Sequence, residues 1–288
     1  MLRIGQSLEC WRAPLADAVA RRDSLPLFAR ARRQLVAGAE ALDVNFGARP
    51  RPGLTEDMRW TAIELRAALP DVPLFLDCGD LDALASVLPA VASPLVVNAL
   101  PLGSTADAPR RLLEAAAVTQ AGVVFSPGAS AESDTPDAIL SASEAAAMLA
   151  GRAGLRGPLY IDCLAYPAAS QPARCRGSLA WLRTLRATGD TRLLPLVAVG
   201  NVAHGASDAD RAALLLVYAA SAVAAGAQAL IVPVEEVSVM SLIDVMTTVR
   251  GPATALERWA RALMDEAGAR TPPPGGRELR TAWELLAP

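Results

Sequence analysis

The chain has 288 residues, 52% of them hydrophobic and 20% charged, enough for one large core, and β/α barrels of about 250 residues commonly form a single domain. A formal net charge of -3 offers no basic field to steer nucleic acid, and 4% aromatic content leaves few stacking platforms, so nucleic acid is set aside as a partner. All 27 basic residues are arginine, and without lysine there is neither Schiff-base chemistry nor a P-loop.

In chain order, eight short β-type runs alternate with longer Ala/Leu/Arg patterns of helical period, as in βα units around a parallel sheet. The strands are predicted in "LRIG" at Leu2, "ALDVNFG" at Ala41, "VPLFLDCG" at Val72, "PLVVNAL" at Pro94, "AGVVFSPG" at Ala121, "PLYIDCLAYP" at Pro158, "LPLVAVGN" at Leu194 and "QALIVPVEE" at Gln228. Amphipathic helices are predicted over Thr55–Leu69, Ala108–Gln120, Thr135–Ala150 and Asp208–Ala225, with Asp208 as an N-cap. Beyond the eighth strand, Val237–Arg250 and Pro252–Ala267 are predicted helical, and "RTPPPGGREL" from Arg270 is a turn before a short last helix.

Eight strands with intervening helices predict a (β/α)8 TIM barrel over residues 1–250, with a helical extension over 251–288 packed on it. A doubly wound sheet fits less well, because no G-x-G-x-x-G follows the first strand. The apolar tract "RAALLLVYAASAVAAGAQALIVPV" is broken by Gly226 and Gln228 and reads as a buried helix and strand rather than a membrane span. No signal-type opening is recognised, so a cytoplasmic location without membrane attachment is expected. Cys10, Cys78, Cys163 and Cys175 form no C-x-x-C pair; reduced thiols and no metal site are expected.

Barrel strands are covered on both sides and therefore apolar, so polar residues at their C-terminal ends, where barrel active sites lie, need a reason. Here strand two ends in Asp43 and Asn45, strand three in Asp77, strand four in Asn98, strand six in Asp162 and strand seven in Asn201. Taken singly, each has a structural role open to it. Asp43 and Asn45 suit a strand-to-loop turn, Asp77 and Asp162 a helix cap or ion pair, Asn98 and Asn201 a loop entry. Jointly, carboxylates that accept and amides that donate and accept suit a flat heterocycle with N–H and amino edges; phosphate is a poor fit. His204, on the loop after strand seven, is expected to bond a neighbour and is left outside this set. Cys78 and Cys163 follow aspartates, so strand alternation turns them to the opposite side, into packing.

The ordered segments "RRQLVAGAEALDVNFG", "LFLDC", "PLYIDCLAYP", "VGNVAHG" and "AAGAQALIVP" resemble the pterin-binding TIM-barrel family, whose fold is that of dihydropteroate synthase. The similarity runs from Met1 to about Arg250 and is closest to methyltetrahydrofolate:corrinoid methyltransferases. The resemblance implies that Asp77, Asn98 and Asp162 hold the pterin, with Asp43 and Asn45 beside them, and that Asn201 bonds near N5 as the catalytic amide. It implies 5-methyltetrahydrofolate as methyl donor, the Co(I) corrinoid of a partner protein as acceptor, and a homodimer. The chain departs from that pattern where a Gly-Glu-Arg-x-Asn opening is replaced by Gly5-Gln6-Ser7-Leu8-Glu9, Asn-Ser by Asn98-Ala99, and Leu-Ser-Asn by Val199-Gly200-Asn201. The strand-five loop "FSPGASAESDTP" lacks the usual polar run. A divergent, non-catalytic folate-binding homologue is therefore the alternative; dihydropteroate synthase is weaker, since its loop lysine is missing.

Overall fold

The computed structural model describes residues 1–103, 107–128, 135–248, 251–264 and 271–286. Eight parallel strands close into a barrel in chain order, β8 pairing back onto β1. They are β1 (Leu2–Glu9), β2 (Ala41–Asn45), β3 (Leu74–Asp77), β4 (Leu95–Pro101), β5 (Gly122–Ser126), β6 (Leu159–Asp162), β7 (Leu194–Ala198) and β8 (Ala229–Val232). All eight predicted strands are present. The two-residue alternation of each strand divides its side chains between two cores. Ile4, Ala41, Phe75, Val96, Val124, Tyr160, Leu196, Ala229 and Ile231 point inward and fill the barrel. The residues between them, such as Leu42, Leu76, Val97 and Val197, belong to the outer core under the helices.

The helical ring consists of α1 (Leu15–Ala20), α2 (Leu25–Val36), α3 (Leu54–Ala68), α4 (Leu81–Val87), α5 (Asp107–Thr119), α6 (Pro136–Ala153), α7 (Pro172–Thr188) and α8 (Asp208–Ala225). After β8 come α9 (Val237–Thr247), α10 (Ala255–Ala262) and α11 (Arg277–Leu286). Helix α8 is buried nearly all round, because α7, α9 and α11 all pack against it. Its Tyr218 hydroxyl is 2.6 Å from the Ser178 hydroxyl inside that packing. Helix α9 ends at Thr247, where Thr248 turns extended, and α10 at Ala262, each short of the ends predicted at Arg250 and Ala267.

Local chemistry corrects several sequence expectations. Ser207, not Asp208, caps α8, its hydroxyl accepting from the Asp210 amide at 3.2 Å; a short side chain in extended backbone reaches that N–H, and Asp208 is already the first helical residue. Helix α10 starts at Ala255 rather than Pro252, since Thr254 and Glu257 form a reciprocal capping box there. Strand β1 runs four residues beyond "LRIG", its register slipping between Gly5 and Leu8 before Leu8 and Glu9 pair with Val44 and Asn45. Such a bulge accommodates the polar Gln6-Ser7 step that interrupts the apolar pattern.

At the end of the barrel opposite the strand C-termini, Arg66 of α3 ties down the entering loops. Its guanidinium donates to the carbonyls of Leu69, Pro70, Val72, Ala92 and Pro94 at 2.6–3.0 Å, fastening the loops that enter β3 and β4. Carbonyls at loop turns lie outside the helix and strand ladders, so one fork-shaped donor engages several at once.

Candidate functional site

At the C-terminal end of the strands the inward positions change from apolar to polar. One step of the alternation above Phe75, Val96 and Tyr160 stand Asp77, Asn98 and Asp162; above Ala41 stand Asp43 and then Asn45. These five residues line a cavity of about 600 Å³. The structure thus brings together the predicted residues of β2, β3, β4 and β6.

They are tied in pairs across neighbouring strands. Asn98 Nδ2 donates to Asp43 Oδ1 at 3.0 Å, both residues being buried. Asn45 donates its Nδ2 to Asp77 Oδ2, while its Oδ1 accepts from the Gly47 amide at 2.8 Å. Asp162 Oδ1 accepts from the Leu164 amide at 2.9 Å. Asn45 therefore holds a turn, as its structural reading required, and Asp162 holds one in place of the helix cap or ion pair expected of it, but each does so with one atom. Asp77 caps no helix; the cap of α4 is Asp80, which accepts from Ala83.

Asn201 lies elsewhere than expected. Strand β7 ends at Ala198, and Asn201 sits in a 3-10 turn over Val199–Ala203, exposed at the rim of the same cavity. Its side chain has no hydrogen-bond partner among the described residues. The chain turns early because Gly200 presses against β1: a Cβ at Gly200 would overlap the Gln6 amide. His204 also lines the rim; its amide donates to the Asn201 carbonyl at 3.1 Å, while its imidazole, contrary to expectation, bonds no neighbour among the described residues. Cys78 and Cys163 are buried in the outer core, on the far side of the strands from the cavity.

Burial dominates the electrostatics. It pushes the Asp43 carboxyl well above the usual carboxylate range, with the charge of Asp77 adding to the rise and the Asn98 hydrogen bond opposing it. Asp77 is raised to about 7 by burial and then by the neighbouring Asp162. Asp162 is raised to about 6 by burial, held back by the Leu164 N–H. Like charges in a poorly solvated site favour the neutral acid, so near neutral pH this cluster contains carboxyl groups able to donate as well as accept.

Sequence reasoning missed the rim. Glu9, Glu235 and Glu236 join the three aspartates, against Arg12, Arg30 and Arg211. Two of these arginines are already engaged, Arg12 with Glu9 at 3.4 Å and Arg30 with Glu235 at 3.6 Å. It also missed Gln34 of α2, fully buried, whose Oε1 accepts from the Ser7 amide at 2.9 Å and fixes the β1 bulge. The Glu235-Glu236 pair directly after the β8 run was the one signal available.

The sequence matches no family model and no curated protein. Among solved structures it is similar to dihydropteroate synthase from Stenotrophomonas maltophilia with active site-bound imidazole, at 19% identity over 87% of this chain and 94% of that one, TM-score 0.62. Dihydropteroate synthase from Xanthomonas albilineans in complex with 7,8-dihydropteroate aligns at 18% identity over 83% and 89%, TM-score 0.61. Mycobacterium tuberculosis Rv1207 aligns at 23% identity over 88% and 93%, TM-score 0.56. Identities this low establish the architecture: the chain is a (β/α)8 barrel of the dihydropteroate-synthase-like kind.

Proposed function

We propose that the cavity binds the pterin ring of a reduced folate, and that the chain transfers the N5-methyl group of 5-methyltetrahydrofolate to the Co(I) corrinoid of a partner protein. The observation that carries the pterin assignment is the pairing of Asp43 with Asn98 and of Asn45 with Asp77 beside Asp162. A pterin presents an amino group, ring N–H groups and a carbonyl along one edge. The free oxygens of Asp77 and Asp162 accept from the donors, and a protonated carboxyl donates to the ring acceptors. Asn98, its Nδ2 committed to Asp43, offers its carbonyl to a further N–H.

Methyl transfer fits the remaining features better than condensation with loss of pyrophosphate. Acidic side chains outnumber arginines six to three around the cavity, so a diphosphate leaving group lacks the positive charge it needs there, and no lysine supplies it. In methyl transfer the C–N5 bond breaks as the methyl group moves to cobalt, and N5 takes a proton to become N–H. A hydrogen bond to N5 that strengthens as this bond breaks lowers the barrier. Asn201 is the amide available at the rim for that bond, and the raised carboxyl groups of Asp43 and Asp77 supply a proton source for the network beneath it.

A non-catalytic folate-binding role is the second reading, favoured by one observation: nothing among the described residues holds the Asn201 amide in a single orientation. Single-turnover methylation of Co(I) cobalamin by methyltetrahydrofolate, followed by the cobalt absorbance, separates the two. Asn201→Ala is expected to slow the methyl-transfer step about 100-fold, with stability within about 0.5 kcal/mol of wild type because the side chain is exposed. Folate binding with no turnover in the wild type selects the second reading.

A further inference from the structure

A second cavity, of about 380 Å³, lies outside the barrel where the last turns of α7 and α8, which lead into the starts of β7 and β8, meet the helices that follow β8. Arg183 and Arg186 of α7, Ser221 of α8 and Trp283 of α11 line it, with Leu263 and Leu286 in the apolar remainder of the wall. Its frame is fastened from several sides. Arg186 Nη1 donates to the Ala224 carbonyl at 2.7 Å and joins α7 to α8. Arg176 Nη1 donates to the Leu285 carbonyl at 2.8 Å and joins α7 to α11. Trp283 meets Trp259 of α10 edge to face, with ring centroids 5.8 Å apart. The cavity is therefore built into the packing of the C-terminal helices, as ligand pockets between helices are.

Every polar side chain on this wall can donate, and three of them are unspent. Ser221 and Trp283 are each only 8% exposed, yet neither the Ser221 hydroxyl nor the Trp283 indole N–H has a hydrogen-bond partner among the described residues. The Arg183 guanidinium has no ion-pair or hydrogen-bond partner among them either, and burial pulls its pKa below the usual arginine value. Buried polar groups are ordinarily bonded, so two free donors on one cavity beside an unpaired cation call for an acceptor. No acidic side chain lines the cavity to serve as one.

A carboxylate supplies what these groups lack, two oxygens for the guanidinium fork with lone pairs left for the hydroxyl and the indole. The wall around them is apolar, and its Met264 is left 37% exposed, so the carboxylate needs an apolar body to cover it. A bare phosphate would leave that wall uncovered and set a second negative charge against the carbonyl ends of α7 and α8. We propose that this cavity binds an organic monocarboxylate with an apolar body, its carboxylate on Arg183, Ser221 and Trp283 and its body against Leu263, Met264 and Leu286. The site shares no residue with the mouth, so it stands or falls apart from the folate reading.

Calorimetry on the full chain with 4-phenylbutyrate, the uncharged 4-phenylbutyramide and inorganic phosphate tests it. The acid is expected to bind about tenfold more tightly than the amide of the same shape, and phosphate more weakly than either. Arg183→Gln is expected to bring the acid down to the affinity of the amide while leaving the amide unchanged, and Ser221→Ala to weaken the acid about threefold. Because Arg183 bonds nothing in the fold, its variant should unfold within about 2 °C of the wild type when unliganded. Equal affinities for acid and amide, or an acid affinity untouched by Arg183→Gln, overturn the proposal. Phosphate binding as tightly as the acid overturns the apolar body, and loss of acid binding in Asp162→Ala would put the ligand in the mouth instead.

Discussion

Replacing Asp77 by asparagine is expected to stabilise the protein while removing its ligand affinity. The carboxyl of Asp77 is raised from 3.8 to about 7, first by burial and then by Asp162, so the folded state holds its proton more tightly than the unfolded chain does. Because the folded value lies above the unfolded one, this group's stabilising share is fully present below pH 3.8 and is lost as the pH rises through about 7. At pH 8 the loss amounts to about 4 kcal/mol, and at pH 5 to about 1.5 kcal/mol.

The amide carries no charge at either pH and keeps its hydrogen bond, since Asn45 donates through Nδ2 and an amide carbonyl accepts as a carboxylate does. It also removes the charge of Asp77 that raises Asp43. The advantage of Asp77→Asn over wild type should therefore grow by about 2.5 kcal/mol between pH 5 and pH 8, or about 5 °C in Tm for a chain of this size. Thermal unfolding of both proteins at the two pH values measures it. A variant that gains equally at both, or that is less stable at pH 8, shows that the Asp77 carboxylate is not held at a cost, and the account of the site as a strained functional cluster fails.

Other substitutions test the scaffold. Arg66→Met removes five hydrogen bonds to loop carbonyls, of which those of Leu69 and Pro94 keep a backbone donor, and should lower the unfolding free energy by about 3 kcal/mol in urea titrations; a loss below about 1 kcal/mol would mean water replaces the guanidinium. Gly79→Ala drives a Cβ into the Ala48 carbonyl, backbone that cannot swing aside, and should cost about 1–3 kcal/mol together with folate affinity, because Ala48 belongs to the loop beside the mouth. Burial raises Cys10 to about 12, Cys78 to about 11 and Cys175 to about 12, and lifts Cys163 well above the usual thiol range. With so little thiolate, a disulfide reagent at pH 8 should label no cysteine in the native protein and all four in denaturant.

The barrel was legible because its information is local. Phe75 and Asp77, Val96 and Asn98, Tyr160 and Asp162 are each two residues apart, so alternation alone puts the polar member inward and nearer the mouth. What stayed hidden depends on contacts between distant residues. Asn98 meets Asp43 across 55 positions, and Ser7 meets Gln34 across 27; no period links them. The extension of β1 was hidden because a bulge breaks the two-residue rhythm at Gln6. The end of β7 was misplaced because Val199 continues the apolar run, while the constraint that turns the chain is the proximity of Gly200 to Gln6.

The same separation bears on the structural and functional roles open to each polar strand end. Residues that serve the fold sit where their loss leaves a partner unsatisfied, as Arg66 does at the end of the barrel where the strands begin. At the open end the aspartates are crowded together, and burial raises all three. A structural aspartate would be replaced by asparagine at a loss; one kept for a ligand would be replaced at a gain, since the ligand's N–H groups supply the missing solvation only when bound. Polarity is also one-sided. The inward top positions of β2, β3, β4 and β6 are polar, whereas Ala198 of β7 and Ile231 of β8 are apolar. A flat ring with one hydrogen-bonding edge can satisfy that lining in only one orientation, its polar edge toward Asp77 and Asp162 and its other side toward β7. The turn after β7 carries Asn201 to the rim, so on the proposed reading the orientation that satisfies the buried carboxyl groups turns the ring's other side, with N5, toward the amide.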